Sequence, residues 1–217
     1  MKNGLTEISV ILDRSGSMNV RKSDTIGGFN AFLDEQQKLP GECTVSLYQF
    51  DHEYEAVYEG VPVDKATRLT DTNFVPRGTT ALLDAVGRTI NAVGIRLATL
   101  SEEERPEKVL VVIQTDGQEN ASKEFDNAKI KEMIDHQRDN YQWQFIFLSA
   151  DENAFVVGAS MGIARGQGLW YSGDNMLGTA QAIGSYSKNF RAAAVASAGD
   201  ISFTDAERKM ANKGVGL

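Results

Sequence analysis

Apolar runs of strand length alternate along this chain with segments whose apolar residues recur at helical spacing. Ile8, Val10, Ile11 and Leu12 form a β-branched run of the kind that fills a strand covered on both faces. Ile26, Phe29, Phe32 and Leu33 then recur every three to four positions between Ser23 and Pro40, which predicts a helix over 23–39. The stretches CTVSLYQF and EYEAVYEG read as strands with only Asp51 and His52 between them, a tight hairpin that puts one antiparallel strand in the sheet. Leu82, Val86, Ile90, Val93 and Leu97 predict a second helix, and the charged run EEERPEK a solvated connector with Pro106 in a loop. The rest alternates likewise: a buried strand in KVLVVIQTD, a helix over 122–140, a strand in WQFIFLS, a short helix over 152–161, a short strand over 169–171 and a long helix from Met176 through Ala194. The charged tail over 200–217 adds a helical turn or none.

Strands joined by crossover helices predict an α/β fold: a mostly parallel, Rossmann-like central sheet with helices on both faces and one antiparallel hairpin strand. With 217 residues, one domain core is expected. The net charge of -8, with no block of Lys or Arg, argues against nucleic acid or an anionic membrane surface as a partner. Cys43 is the only cysteine, so neither an internal disulfide nor a thiolate metal cluster can form within one chain, and it reads as a small buried side chain. No signal-peptide core follows the first residues, and the longest apolar run, VLVVI, is far too short to span a membrane. A soluble, cytoplasmic protein is the expectation.

In sheets of this kind, ligands bind beyond the carboxyl ends of the strands, where the strand order reverses. Three polar loops fall there. In DRSGS, Asp13, Ser15 and Ser17 alternate after the first strand, with Gly16 permitting a tight loop; RGTTALLD leads into the second helix; QTDGQEN places Asp116 at the end of the buried strand. A site of Asp, Ser, Ser, Thr and Asp offers only oxygen, which favours Mg2+, Mn2+ or Ca2+ over zinc. Two carboxylates balance a divalent ion and hydroxyls add no charge, so such an ion keeps an appetite for a further anion.

At these residues the sequence resembles the von Willebrand factor type A domain (vWA domain) with its metal-ion-dependent adhesion site, over roughly residues 6–198, which sets a domain over 1–198 and a tail over 199–217. DRSGS, GTTAL and TDG occur in the order of the family's three loops. The resemblance implies Asp13, Ser15, Ser17, Thr80 and Asp116 as metal ligands. Family members often carry two glycines before the Thr, whereas this chain has Gly78 and then Thr79. Either threonine can supply the hydroxyl, and Thr80 is assigned because it directly precedes Ala81 and Leu82. The implied function is a non-enzymatic module that captures a Glu or Asp of a partner protein through its metal, with an AAA-type ATPase assembly as a partner that cytoplasmic family members suggest.

A second class is an Mg-dependent phosphohydrolase with Asp13 as nucleophile. Against it, the position two residues on is Ser15 where that chemistry wants a second acid, and no Lys stands ready for a phosphoryl group. The remaining chemistry-bearing residues read as structural. His52 falls at a hairpin tip and His136 on the polar side of a helix; GIARGQG lacks the Lys-Ser/Thr ending of a phosphate loop; Trp143 and Trp170 belong to strands. Asp84 either buttresses the Thr80 loop or is solvated.

Overall fold

The computed structural model describes residues 1–151, 153–172 and 175–212. Six strands, β1 (Lys2–Asp13), β2 (Glu42–Phe50), β3 (Tyr54–Pro62), β4 (Pro106–Thr115), β5 (Gln144–Ser149) and β6 (Gly168–Trp170), form one sheet in the order β3-β2-β1-β4-β5-β6. All pairs are parallel except the β2–β3 hairpin. The helices are α1 (Lys22–Lys38), α2 (Leu82–Thr99), α3 (Asn127–Tyr141), α4 (Ala154–Ser160), α5 (Met176–Ala192), α6 (Val195–Ala198) and α7 (Asp205–Ala211). The expected α/β architecture, including its single antiparallel strand, is the one observed.

The two-residue period of the central strands splits the core into two layers. Ile8, Val10, Leu12, Leu110 and Val112 face α1 and α5, packing with Phe29, Leu33 and Phe190. Ile11, Val109, Val111 and Ile113 face α2 and α3 with Val86, Ile90, Ile130 and Phe145. Each such side chain contributes about 1.5–3 kcal/mol by its burial. The order of strands reverses at the β1–β4 pair, so chain leaving β1 and chain leaving β4 emerge side by side.

Three elements differ from the sequence expectation for identifiable reasons. The helix expected from residue 122 begins at Asn127, because Asp84 of α2 accepts the backbone N–H groups of Lys123, Glu124 and Phe125 at 2.9, 2.9 and 3.0 Å and holds that segment out of the helix. Asp126 then caps α3 by accepting from Lys129 N. Pro106 opens β4 instead of marking a loop, the one strand position at which a missing N–H costs little. The segment after Ala198 folds back onto the core: Phe203 packs on Tyr186 with ring centroids 4.7 Å apart, Thr204 and Glu207 form a capping box for α7, and Asn175 Nδ2 donates to Met210 O at 2.7 Å. Residues 213–217 of the tail and residue 152 of the expected short helix lie outside the described residues.

Candidate metal centre

Asp13 is the last residue of β1 and fully buried. Its Oδ1 accepts the Ser15 N–H at 2.6 Å and its Oδ2 the Thr115 hydroxyl at 2.5 Å, so a residue on the adjacent strand fixes the carboxylate's orientation. Burial pushes this carboxyl up to about 6 against the pull of the Thr115 and Ser15 hydrogen bonds, and the neighbouring Asp116 charge adds to the rise. The chain then turns: Ser15 is buried, Ser17 is exposed, and their hydroxyls lie 3.0 Å apart. Ser17 Oγ donates onward to Asp116 Oδ1 at 2.6 Å.

Backbone hydrogen bonds knit the three loops together. Gly16 N donates to Gly78 O at 3.2 Å and Arg77 N to Arg14 O at 2.8 Å, joining the first loop to the second. Gly78 has φ +68°, so the backbone calls for glycine, and a Cβ there would lie 2.2 Å from His52 Nδ1 and force that half-exposed ring to turn away. Thr80 N donates to Asn120 Oδ1 at 2.9 Å and Thr80 O accepts from Asn120 N at 3.1 Å, joining the second loop to the third. Glu119 anchors the third loop to the start of α2, accepting from Leu83 N at 3.0 Å and from Ser122 N at 2.8 Å.

The convergence is measured at Gly117. A Cβ built there would lie 3.0 Å from Thr80 Oγ1, 3.4 Å from Ser17 Oγ and 3.7 Å from Asp13 Oδ2. Asp13, Ser17 and Thr80 therefore surround one space over the face of a glycine, and Ser15 and Asp116 reach it through Ser17. Of the two candidate threonines, Thr80 is buried with its hydroxyl in this space and Thr79 is exposed. Two carboxylates and three hydroxyls with no nitrogen or sulfur fit a hard divalent cation. Gly117, Thr115 and Arg21, whose Nη1 lies 3.2 Å from Asp116 Oδ2, escaped the sequence reading because each acts across loops.

A second acidic group stands beside the first. Asp51, just past β2, is buried and accepts from Arg14 Nε at 3.0 Å, Arg77 Nε at 2.9 Å and Glu53 N at 2.7 Å. Burial works to raise its pKa, but the Glu53 and Arg77 hydrogen bonds and the two guanidinium charges outweigh it and hold the carboxyl below its ordinary value. Asp51, His52 and Glu53 bring ligand atoms within 4.8 Å of one another, yet Asp51 is already committed to two arginines. His52 is half-exposed at the hairpin tip as expected, resting on Gly78. His136 is exposed on α3, Trp143 is core, and GIARGQG is a connector with a 3-10 turn at Arg165–Gln167. Cys43 is buried, which pushes its thiol up to about 12.

No protein-family model matches the chain, and no curated protein does. Solved structures do. One is the proximal thread matrix protein 1 of the mussel byssus with a zinc-occupied MIDAS motif, at 15% identity and TM-score 0.58 over 85% of this chain and 46% of that one. Another is a von Willebrand factor type A protein from Catenulispora acidiphila, at 14% identity and TM-score 0.59 over 85% of this chain and 42% of that one. The chain thus spans less than half the length of either.

Proposed function

On the premise that the chain has the von Willebrand factor type A fold, we propose that the space over Gly117 is a divalent-cation site, Mg2+ first among the candidates and Mn2+ or Ca2+ next, by which the protein captures a Glu or Asp of a partner. The observation that carries this reading is the enclosure of one point by Thr80 Oγ1, Ser17 Oγ and Asp13 Oδ2. Asp13, Ser15, Ser17, Thr80 and Asp116 would hold the cation, directly or through water. When bound, it supplies an attraction for an incoming carboxylate that the protein's own acidic site would otherwise repel. The chain's residues do the rest. Thr115 and the Ser15 N–H fix Asp13, Asn120 fixes Thr80, and the exposed Ser17 lies at the open side where a partner's side chain enters. An AAA-type ATPase assembly is one partner to test for in the host.

The phosphohydrolase alternative is disfavoured by the placement of Asp13. Two residues after it stands Ser15, where that chemistry wants a second acid to act as general acid and base. The buried lysine that β4 carries, Lys108, donates to Phe190 O and Arg191 O beneath α5.

Water-proton relaxation with Mn2+ tests the proposal. Wild-type protein should enhance relaxation on binding Mn2+, and acetate should reduce the enhancement by displacing metal-bound water. An absence of enhancement, or an enhancement indifferent to acetate while phosphate-ester substrates are turned over, contradicts the reading.

A further inference from the structure

Arg21 closes the 3-10 turn Gly16–Arg21 that follows Ser15, and its guanidinium meets Asp116 of the third loop. Nη1 lies 3.2 Å from Asp116 Oδ2, while Asp116 Oδ1 accepts the Ser17 hydroxyl. The Asp116 side chain is 1% exposed and that of Arg21 only 29%. Arg21 Nε is buried without a hydrogen-bond partner among the described residues, an uncommon cost for a guanidinium, so the side chain is held here by attraction to Asp116 rather than by a full set of hydrogen bonds. Here, among the described residues, Asp13 and Asp116 carry the negative charges and Arg21 the positive one, because Arg14 and Arg77 are occupied by Asp51.

We propose that Arg21 is a resident counter-ion that competes with the divalent cation for Asp116. This inference rests on the metal reading above. In the metal-free protein the guanidinium half-neutralises the two carboxylates. When a divalent cation enters, the guanidinium releases Asp116 Oδ2, because staying would leave it beside a like charge in a partly buried site. Arg21 therefore lowers the affinity of the site for metal alone. A carboxylate from a partner restores the charge balance, so metal and acidic partner bind together more tightly than metal binds by itself. A released guanidinium also stands next to that carboxylate as a second positive group.

Calorimetric titration with Mn2+ of wild type, Arg21→Gln and Arg21→Lys tests this. Arg21→Gln should bind about tenfold more tightly, the gain from removing one poorly screened like charge, and Arg21→Lys should stay near wild type. Equal or weaker binding in Arg21→Gln overturns the proposal and makes Arg21 a residue that merely orients Asp116. If no variant binds Mn2+ at all, it is the metal reading that fails. A measurement on wild type alone guards against a misfolded variant: the Arg21 Nε–H signal in nitrogen-edited NMR should shift and exchange faster with water at saturating Mg2+. A signal that Mg2+ leaves unmoved counts against the release of Asp116.

Discussion

Two buried aspartates end neighbouring strands of this sheet, Asp13 on β1 and Asp51 just past β2, and the fold treats them oppositely. Asp51 receives two guanidiniums and a backbone N–H, and its carboxyl is held low. Asp13 receives a hydroxyl and a backbone N–H and, among the described residues, no cation, and its carboxyl is pushed up to about 6 by burial. The first is a finished ion-pair network that ties Arg14 and Arg77 across two loops. The second is an oxygen site with charge left over, beside three hydroxyls and a glycine face. Proximity of acidic residues does not distinguish a metal site from a structural one; the cations already present do. By that measure the Asp51, His52 and Glu53 group is spoken for by two guanidiniums, whereas the two carboxylates Asp13 and Asp116 share Arg21 alone, among the described residues.

The largest effect that separates the two is on stability. Asp51→Ala should cost about 3 kcal/mol or more in urea unfolding, because it leaves Arg14, itself 7% exposed, with the half-exposed Glu55 as its one charged partner among the described residues. Metal affinity should change little. Gly117→Ala should do the reverse. Its Cβ would sit 3.0 Å from Thr80 Oγ1, inside the space over which the hydroxyls meet. Mn2+ affinity should fall at least tenfold, about 1.4 kcal/mol, with the circular-dichroism spectrum retained. A Gly117→Ala protein that binds Mn2+ as wild type does would place the cation elsewhere.

A smaller effect separates Asp51 by pH. Its folded pKa is depressed, so between that value and the unfolded value near 3.8 the unfolded chain binds more protons than the folded one, and stability rises with pH. The contribution is complete above the unfolded value and is lost as pH falls through the folded one. The urea midpoint of wild type should therefore drop below about pH 4 with a slope that Asp51→Asn lacks. Parallel slopes in the two proteins would mean that the arginines do not hold Asp51 as described.

Much of this arrangement could be read from the sequence, because it depends on local pattern. The β-branched run ending at Asp13, the alternation Asp13, Ser15, Ser17 and the strand ending before Asp116 each announce a strand end that carries side-chain oxygens. What escaped reading depends on contacts between loops. Which of Thr79 and Thr80 faces inward is decided by the left-handed turn at Gly78 and the pairing of Thr80 with Asn120, forty positions away. Asp51 and His52 read as hairpin residues because the arginines that claim Asp51 come from two other loops. α3 starts five residues later than its pattern predicts because Asp84, on another helix, takes the N–H groups that would begin it. Arg21 and Gly117 carry no motif of their own. Their meaning lies in the 3.2 Å between Arg21 Nη1 and Asp116 Oδ2, and in the 3.0 Å that would separate a Cβ added at Gly117 from Thr80 Oγ1.

The contrast between the two aspartate groups is tested most directly by one calorimetric experiment, titration of Mn2+ into wild type, Asp116→Ala and Asp51→Asn under identical conditions. The account predicts one Mn2+ per chain in wild type, a similar affinity in Asp51→Asn, and no measurable binding in Asp116→Ala. Binding that survives in Asp116→Ala and disappears in Asp51→Asn would move the metal to the hairpin and contradict the account.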